Sequence, residues 1–259
     1  MQKPLILLTN DDGITAPGLR ALVRFIQEIG DVIVVAPDSP QSGMGHAITL
    51  DNALYSKKIT VDAEHGAQEE YSCSGTPADC VKMGLQEILT RKPDLCISGI
   101  NHGSNSSINV IYSGTMSAAI EAGIEGIPAI GFSLCDYGWK ANFEPAKEVV
   151  QKIVREALEH KIPQGVVLNV NIPKLEGKPF KGIRVCRQAR ANWKEEFDKR
   201  TNPMGKEYYW LTGTFELLDK GEDTDEWALS QGYVSIVPTQ FDLTAHHAIQ
   251  HINNWNLHH

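Results

Sequence analysis

Short, unbroken aliphatic runs recur along the chain, and each stops at a polar stretch or a turn signal. Leu5-Ile6-Leu7-Leu8 runs into Thr9-Asn10-Asp11-Asp12-Gly13. Val32-Ile33-Val34-Val35-Ala36 stops at Pro37-Asp38, and Leu95-Cys96-Ile97-Ser98-Gly99-Ile100 at Asn101-His102-Gly103. Runs this short, bounded by glycine or proline, read as strands covered on both faces of a parallel sheet, although periodicity alone does not separate them from buried helix segments. Further strands are predicted at 127–133, 166–173, 183–187 and 233–238, and shorter ones within 47–72, with His65-Gly66 in a turn. Between the strands the apolar period becomes helical. Leu19, Leu22, Val23, Ile26 and Ile29 mark one face after Thr15-Ala16-Pro17-Gly18, a cap candidate with proline near the first helical position, and Gly30 closes the helix. Thr76-Pro77-Ala78-Asp79 has the spacing of a capping box and leads into Val81, Leu85, Ile88 and Leu89. A helix from about 145 to 160 buries Val149, Ile153, Val154 and Leu158. Alternation of this kind predicts an α/β fold, a mostly parallel sheet flanked by helices.

The pattern breaks between 189 and 224. Charged runs are interleaved there with Trp193, Phe197, Tyr208, Tyr209, Trp210 and Phe215, and Asn202-Pro203-Met204-Gly205 supplies a turn. This reads as a protruding hairpin arm or lid, and aromatics that one arm cannot bury alone suggest a subunit contact. Beyond it, Thr224-Asp225-Glu226-Trp227 resembles a helix start, and Asp242-Leu243-Thr244 is a cap candidate for a terminal helix. The histidines of the tail, His246, His247, His251, His258 and His259, read as solvated.

Composition narrows the field. With 259 residues the chain fits one large domain or two small ones. A formal charge of -8 with no basic block argues against a general grip on nucleic acid or on an anionic membrane. It leaves room for a small phosphorylated substrate. The N-terminus lacks a signal-peptide pattern and no apolar run would span a bilayer. Five cysteines with no C-x-x-C fit buried thiols in a reducing cytoplasm better than disulfides or a zinc site.

The polar stretches carry the candidate chemistry, because open α/β sheets place ligands beyond the carboxyl ends of their strands. Asp11 and Asp12 repel each other there, and a divalent cation relieves both the repulsion and the cost of burial; the plainer reading makes one of them a helix cap. Ser42, in the loop Ser39-Pro40-Gln41-Ser42-Gly43-Met44-Gly45-His46, is a neutral oxygen donor near the same edge. Asn101 follows its strand as Asp11 follows the first. His102 and Asn105 are candidates to reach a phosphate or sugar; the plainer reading of a lone loop histidine is that it is solvated. Tyr112-Ser113-Gly114-Thr115 enters a small-residue helix whose free N–H groups make an anion site, with Ser113 and Thr115 adding hydroxyls; the plainer reading is a simple N-cap. Together these give a hard-cation site of Asp11, Asp12, Ser42 and Asn101 with positions left for water and substrate, suited to Mg²⁺ or Mn²⁺ and phosphoryl transfer to water. The chain has neither a phosphate-binding P-loop motif nor a G-x-S-x-G elbow.

Thr9-Asn10-Asp11-Asp12-Gly13, Ser42-Gly43, Ser74-Gly75-Thr76-Pro77-Ala78-Asp79, Ser98-Gly99-Ile100-Asn101 and Tyr112-Ser113-Gly114-Thr115 occur in the order seen in the SurE family of survival-protein phosphatases, which the chain resembles over nearly its whole length. Gly232-Tyr233-Val234-Ser235-Ile236 and Asp242-Leu243-Thr244 also look like that family. The resemblance implies a single Rossmann-like domain over 1–259, with the arm near 189–224 and an exchanged C-terminal segment near 239–259 forming homodimers or homotetramers. It implies one divalent cation per subunit on Asp11, Asp12, Ser42 and Asn101, with catalysis by Asp11, Asp12 and Asn101. Phosphate or substrate would be held by Asn10, Gly43, Asn105, Ser113, Gly114 and Thr115. The implied reaction is hydrolysis of nucleoside monophosphates, with 5' against 3' left open, in the cytoplasm. Many members carry Asp-Val where this chain has Asn109-Val110, and an asparagine cannot act as a base. The alternatives are a nucleoside hydrolase, which would need a further aspartate in the first loop, and a non-catalytic metal-dependent nucleotide sensor.

Overall fold

The computed structural model describes residues 3–64, 66–138, 140–174, 177 and 179–257. Its centre is a nine-stranded sheet. In chain order the elements are β1 (Leu5–Thr9), α1 (Pro17–Ile26), β2 (Asp31–Pro37), β3 (Ser56–Ile59), β4 (Glu69–Cys73), α2 (Pro77–Met83), β5 (Leu95–His102), α3 (Gly114–Ile124), β6 (Ala129–Leu134), α4 (Lys147–His160), β7 (Val166–Ile172), β8 (Ile183–Val185), β9 (Ala191–Thr201), β10 (Glu207–Leu217), α5 (Asp225–Ser230), β11 (Val234–Gln240) and α6 (His246–Asn253). The sheet order is β3-β4-β2-β1-β5-β6-β7-β11-β8. Six strands, β4 to β7 in that order, are mutually parallel. Antiparallel β3 closes one side; on the other, β11 is antiparallel to β7, and β8, parallel to β11, forms the edge. The expected α/β architecture is therefore present, with the hairpin as a separate two-stranded sheet.

Both faces of β1 and β2 are covered, which is why Leu5–Leu8 and Val32–Ala36 are aliphatic at successive positions rather than at alternate ones. Ile6 and Leu8 pack with α1 and α4 residues such as Leu22, Phe25 and Val150, whereas Leu5 and Leu7 face Val81, Met116 and Ala119 of α2 and α3. From β1 the chain moves outward to β2 and β4 and then returns to β5 on the opposite side of β1. That reversal leaves a crevice at the carboxyl ends of β1 and β5.

Several local expectations differ in detail. Ala16, not Thr15, is the N-cap of α1 and makes no side-chain cap bond; Pro17, whose φ is preset for a helix, begins it. The helix ends at Ile26, and Gly30 closes the turn that follows by donating its N–H to Ile26 O. The Thr76/Asp79 capping box is present in full, but α2 gives way at Gly84 to a wider turn through Ile88. β5 extends beyond Ile100 to His102, with a register shift between Ser98 and Asn101, so Asn101 belongs to the strand. Asp242 does not cap α6. It accepts the Thr244 N–H and faces His246, and Ala245 is the cap position. His65, His258 and His259 lie outside the described residues. The arm spans β9 and β10, paired antiparallel from Ala191↔Leu217 to Thr201↔Glu207. Its Phe197, Tyr209, Trp210 and Leu211 are exposed, and α6 has no buried residue. All five cysteines are free.

Candidate active site

β1 delivers Asp11 and Asp12 to the crevice. Asn10 shapes the turn that carries them: it is buried, and its Nδ2 donates to Gly13 O at 3.0 Å. Gly13 holds φ +101°, a conformation that disfavours a side chain, and places its chain neighbour Ile14 to donate to Pro37 O at the end of β2. Asp11 is only 4 % exposed. Its Oδ1 accepts the Thr115 hydroxyl at 2.5 Å. The first residue of α3 meets the same side chain, since a Cβ on Gly114 would lie 2.6 Å from Asp11 Cβ. Only glycine lets the helix start come so close. Burial pushes the Asp11 carboxyl up to about 6, opposed by the Thr115 hydrogen bond and assisted by the charge of Asp12.

Asp12 is less enclosed. Its Oδ2 accepts the His102 backbone N–H at 3.3 Å and stands 3.7 Å from His102 Nδ1. Asn101 is held by its own amide: Nδ2 donates to His102 O at 3.1 Å and Gly103 O at 3.0 Å. With both N–H groups engaged, Oδ1 is the atom left to accept or ligate. The loop bearing Ser42 is tied to this turn by the Gln41 N–H, which donates to Asp11 O at 2.8 Å. Ser42 and Gly43 are exposed beyond that anchor, Gly43 at φ +75°. Ser113 is the N-cap of α3: its Oγ accepts the Met116 N–H at 3.0 Å. Gly114 and Thr115 sit in the first turn, where N–H groups have no acceptor within the helix.

The donor set suits a hard cation. Two adjacent carboxylates, an amide oxygen and a hydroxyl are oxygen ligands with limited charge. Asp11 is buried without a basic partner, and the buried Asn10 Oδ1 has no hydrogen-bond partner among the described residues. A divalent ion would offset the first defect. Among the described residues no group of three or more His, Cys, Asp or Glu is placed to hold a metal; the candidate site has two carboxylates and otherwise neutral oxygens.

Sequence reasoning brought Asp11, Asp12, Asn101, Ser113, Gly114 and Thr115 to one crevice, and the structure assembles them there. It gives other neighbours to some. Thr115 spends its hydroxyl proton on Asp11, leaving its backbone N–H for an anion. Asn105 is buried: Nδ2 donates to Ser133 Oγ and its N–H to Asn171 Oδ1, both at 2.8 Å, while Asn169 Nδ2 donates to its carbonyl. Asn169 and Asn171, two residues apart on β7, hold this loop in place. Asn109 accepts the Trp193 indole N–H at 2.8 Å, so it anchors the arm.

One residue of this region escaped the sequence reading. Glu121 on α3 is 4 % exposed and binds His46 Nε2 at 2.8 Å and Lys82 Nζ at 2.6 Å. These bonds, His46 first, hold its carboxyl below the usual range. It thereby fixes the far end of the Ser42 loop. The signal was there: Glu121 is the lone charge in Gly114–Ile124.

Comparison with known proteins decides the family. The model of the family described as Survival protein SurE matches residues 6–195. The chain belongs to the SurE family. A SurE protein of Flavobacterium psychrophilum, named 5'-nucleotidase SurE, is 67% identical over 257 residues, 99% of each chain. One of Christiangramia forsetii with the same name is 68% identical over 256 residues, 99% of this chain and 98% of its own. The crystal structure of the SurE protein from Aquifex aeolicus superposes with a TM-score of 0.83 at 42% identity, covering 96% of this chain and 98% of that one. No helix among the described residues is long and apolar enough to cross a membrane.

Proposed function

We propose that this chain is a 5'-nucleotidase, a phosphomonoesterase that cleaves nucleoside 5'-monophosphates to nucleoside and phosphate with one Mg²⁺ or Mn²⁺ per subunit. The observation that carries the reading is Asp11: a buried carboxylate, beside a second carboxylate, with the N-terminus of α3 against it. Asp11, Asp12, Ser42 and Asn101 would hold the cation. When bound, such an ion neutralises phosphate charge and lowers the pKa of water. The rest is the work of the chain. The Gly114 and Thr115 N–H groups face the negative charge that spreads over phosphate oxygens in the transition state. Thr115 fixes the Asp11 rotamer, and His102, beside Asp12, is placed to orient water or the ester oxygen. Asp11 is bound by Thr115 and Asp12 lies beside it, so neither is offered as a nucleophile; water is.

The names of the relatives support phosphate release over cleavage of the glycosidic bond. Product analysis from AMP and from adenosine tests this. The reading requires phosphate and adenosine from AMP and no change to adenosine; free adenine from either would make the chain a nucleoside hydrolase, and metal-dependent binding without turnover would make it a sensor. The exposed aromatic arm and the exposed α6 support assembly as a homodimer or homotetramer.

A further inference from the structure

A cavity opens along the loop that follows Asn101 and His102. It measures about 230 Å³ and is lined by Ser104, Asn109, Tyr137, Trp193, Phe215 and Glu226, among others. Two residues, His102 and Gly103, separate its lining Ser104 from the candidate ligand Asn101. Gly103 O accepts from Asn101 Nδ2, and a Cβ on Gly103 would lie 2.3 Å from Tyr137 Cε1. Sites that enclose a whole ligand usually reach about 300–1,000 Å³. This cavity is smaller, of a size for one flat ring system.

Its walls have a defined chemistry. Trp193 and Phe215, paired across the base of the arm, meet edge to face with centroids 5.5 Å apart. Trp193 is fixed by Asn109, whose Oδ1 it occupies, so Asn109 presents its Nδ2 hydrogens. Glu226 is half-buried. One of its oxygens accepts the Ser106 hydroxyl, and no cation among the described residues pairs with it. Its neighbour Asp225 is fully buried and satisfied by the N–H groups of Ser107, Ala189 and Glu226, so it fixes the start of α5 and with it the position of Glu226. A half-buried carboxylate without a cation gains most from N–H donors on a ligand.

We propose that this cavity is the base subsite of the nucleotide and that it selects guanine. The inference rests on the phosphomonoesterase reading only for where the phosphate lies. Guanine presents the N1–H and the 2-amino group side by side, next to the O6 acceptor. Glu226 takes the two donors and Asn109 donates to O6, while the aromatic pair packs on the ring. Adenine offers one amino donor on that edge and turns the N1 lone pair toward the carboxylate. Hypoxanthine lacks the 2-amino group alone, so the comparison of GMP with IMP isolates one hydrogen bond to Glu226.

Calorimetric titration of GMP and IMP into the full chain in EDTA tests the subsite without turnover. GMP should bind roughly ten-fold or more tightly than IMP, the worth of a hydrogen bond to a charged acceptor. In Glu226→Gln the ratio should fall to within about three-fold, a comparison unaffected by the fraction of active protein. Equal affinities in the wild type, a ratio that survives in Glu226→Gln, or binding of neither nucleotide overturns the proposal. The wild-type comparison needs no substitution and decides the matter should Glu226→Gln fail to fold. Phosphate release from GMP after Mn²⁺ is restored reads the reaction separately. Selective binding without release refutes the phosphatase reading and supports the subsite; release with equal affinities does the reverse.

Discussion

Replacing Gly114 with alanine probes the contact on which the crevice is built. The new Cβ would lie 2.6 Å from Asp11 Cβ and 3.0 Å from Asp11 Oδ2. Asp11 cannot swing aside cheaply, because it is buried and bound to Thr115 at 2.5 Å. Two effects oppose each other. Replacing a helical glycine ordinarily stabilises by about 0.5–1 kcal/mol, whereas forcing a methyl group into filled space costs about 1–3 kcal/mol. At this separation the second wins, for a net loss of about 1–2 kcal/mol. In a chain of this size that lowers Tm by only several degrees. The effect on catalysis should be larger. Relief requires Asp11 or the start of α3 to move, and a displacement near 1 Å in a reacting constellation costs about 10²-fold. Thermal denaturation and steady-state phosphate release, run on the same preparation of Gly114→Ala, should therefore show a small loss of Tm and a fall in kcat/KM of about a hundred-fold. Wild-type kcat/KM in the variant would refute the reasoning, because it would mean that Asp11 does not work against the start of α3.

Other consequences are testable on the same material. Asp11 in the metal-free protein has its pKa raised from 3.8 to about 6; the folded state then binds the proton more tightly than the unfolded one, so stability contributed by this group is present below pH 3.8 and lost as pH rises toward 6, by about 3 kcal/mol. Urea unfolding in EDTA should show this slope in the wild type and not in Asp11→Asn, and parallel profiles would contradict it. Glu121→Gln should cost about 1–2 kcal/mol by urea unfolding, since its two partners are partly solvated, and should raise KM by loosening the Ser42 loop; an unchanged KM would dissociate that clamp from the site. Removing the arm between 198 and 210 should lower the mass seen by light scattering while the core still melts cooperatively, and a wild type that is already monomeric at micromolar concentration would sink the oligomer proposal. Hydrolysis of a chiral, isotopically labelled phosphate ester should invert configuration at phosphorus; retention would make Asp11 or Asp12 a nucleophile.

What the sequence made legible follows from which interactions are local. The buried strands were readable because a strand covered on both faces must be apolar at every position, and the Thr76/Asp79 cap because both partners lie within one turn. The arm was readable from aromatics alternating with charges that no single chain could bury. The terminal cap at Asp242 misled because an aspartate followed two residues later by a hydrogen-bonded N–H makes a turn as readily as a helix start. The loop network was hidden because its partners are far apart in sequence: Asn105 with Asn171, Ser107 with Asp225, Asn109 with Trp193. Asn109 shows the difference most clearly. By resemblance to the family a carboxylate is expected there; in the fold Asn109 holds the indole at the base of the arm.

The central claim is that two adjacent carboxylates at the end of β1 serve phosphate ester hydrolysis with a divalent cation. The most direct measurement is phosphate release from nucleoside 5'-monophosphates by the wild type and by Asp12→Asn, each assayed in EDTA and after addition of excess Mg²⁺ or Mn²⁺. The account predicts no release in EDTA, recovery on metal addition in the wild type, and little recovery in Asp12→Asn. Full activity in EDTA, or equal recovery in Asp12→Asn, would contradict it.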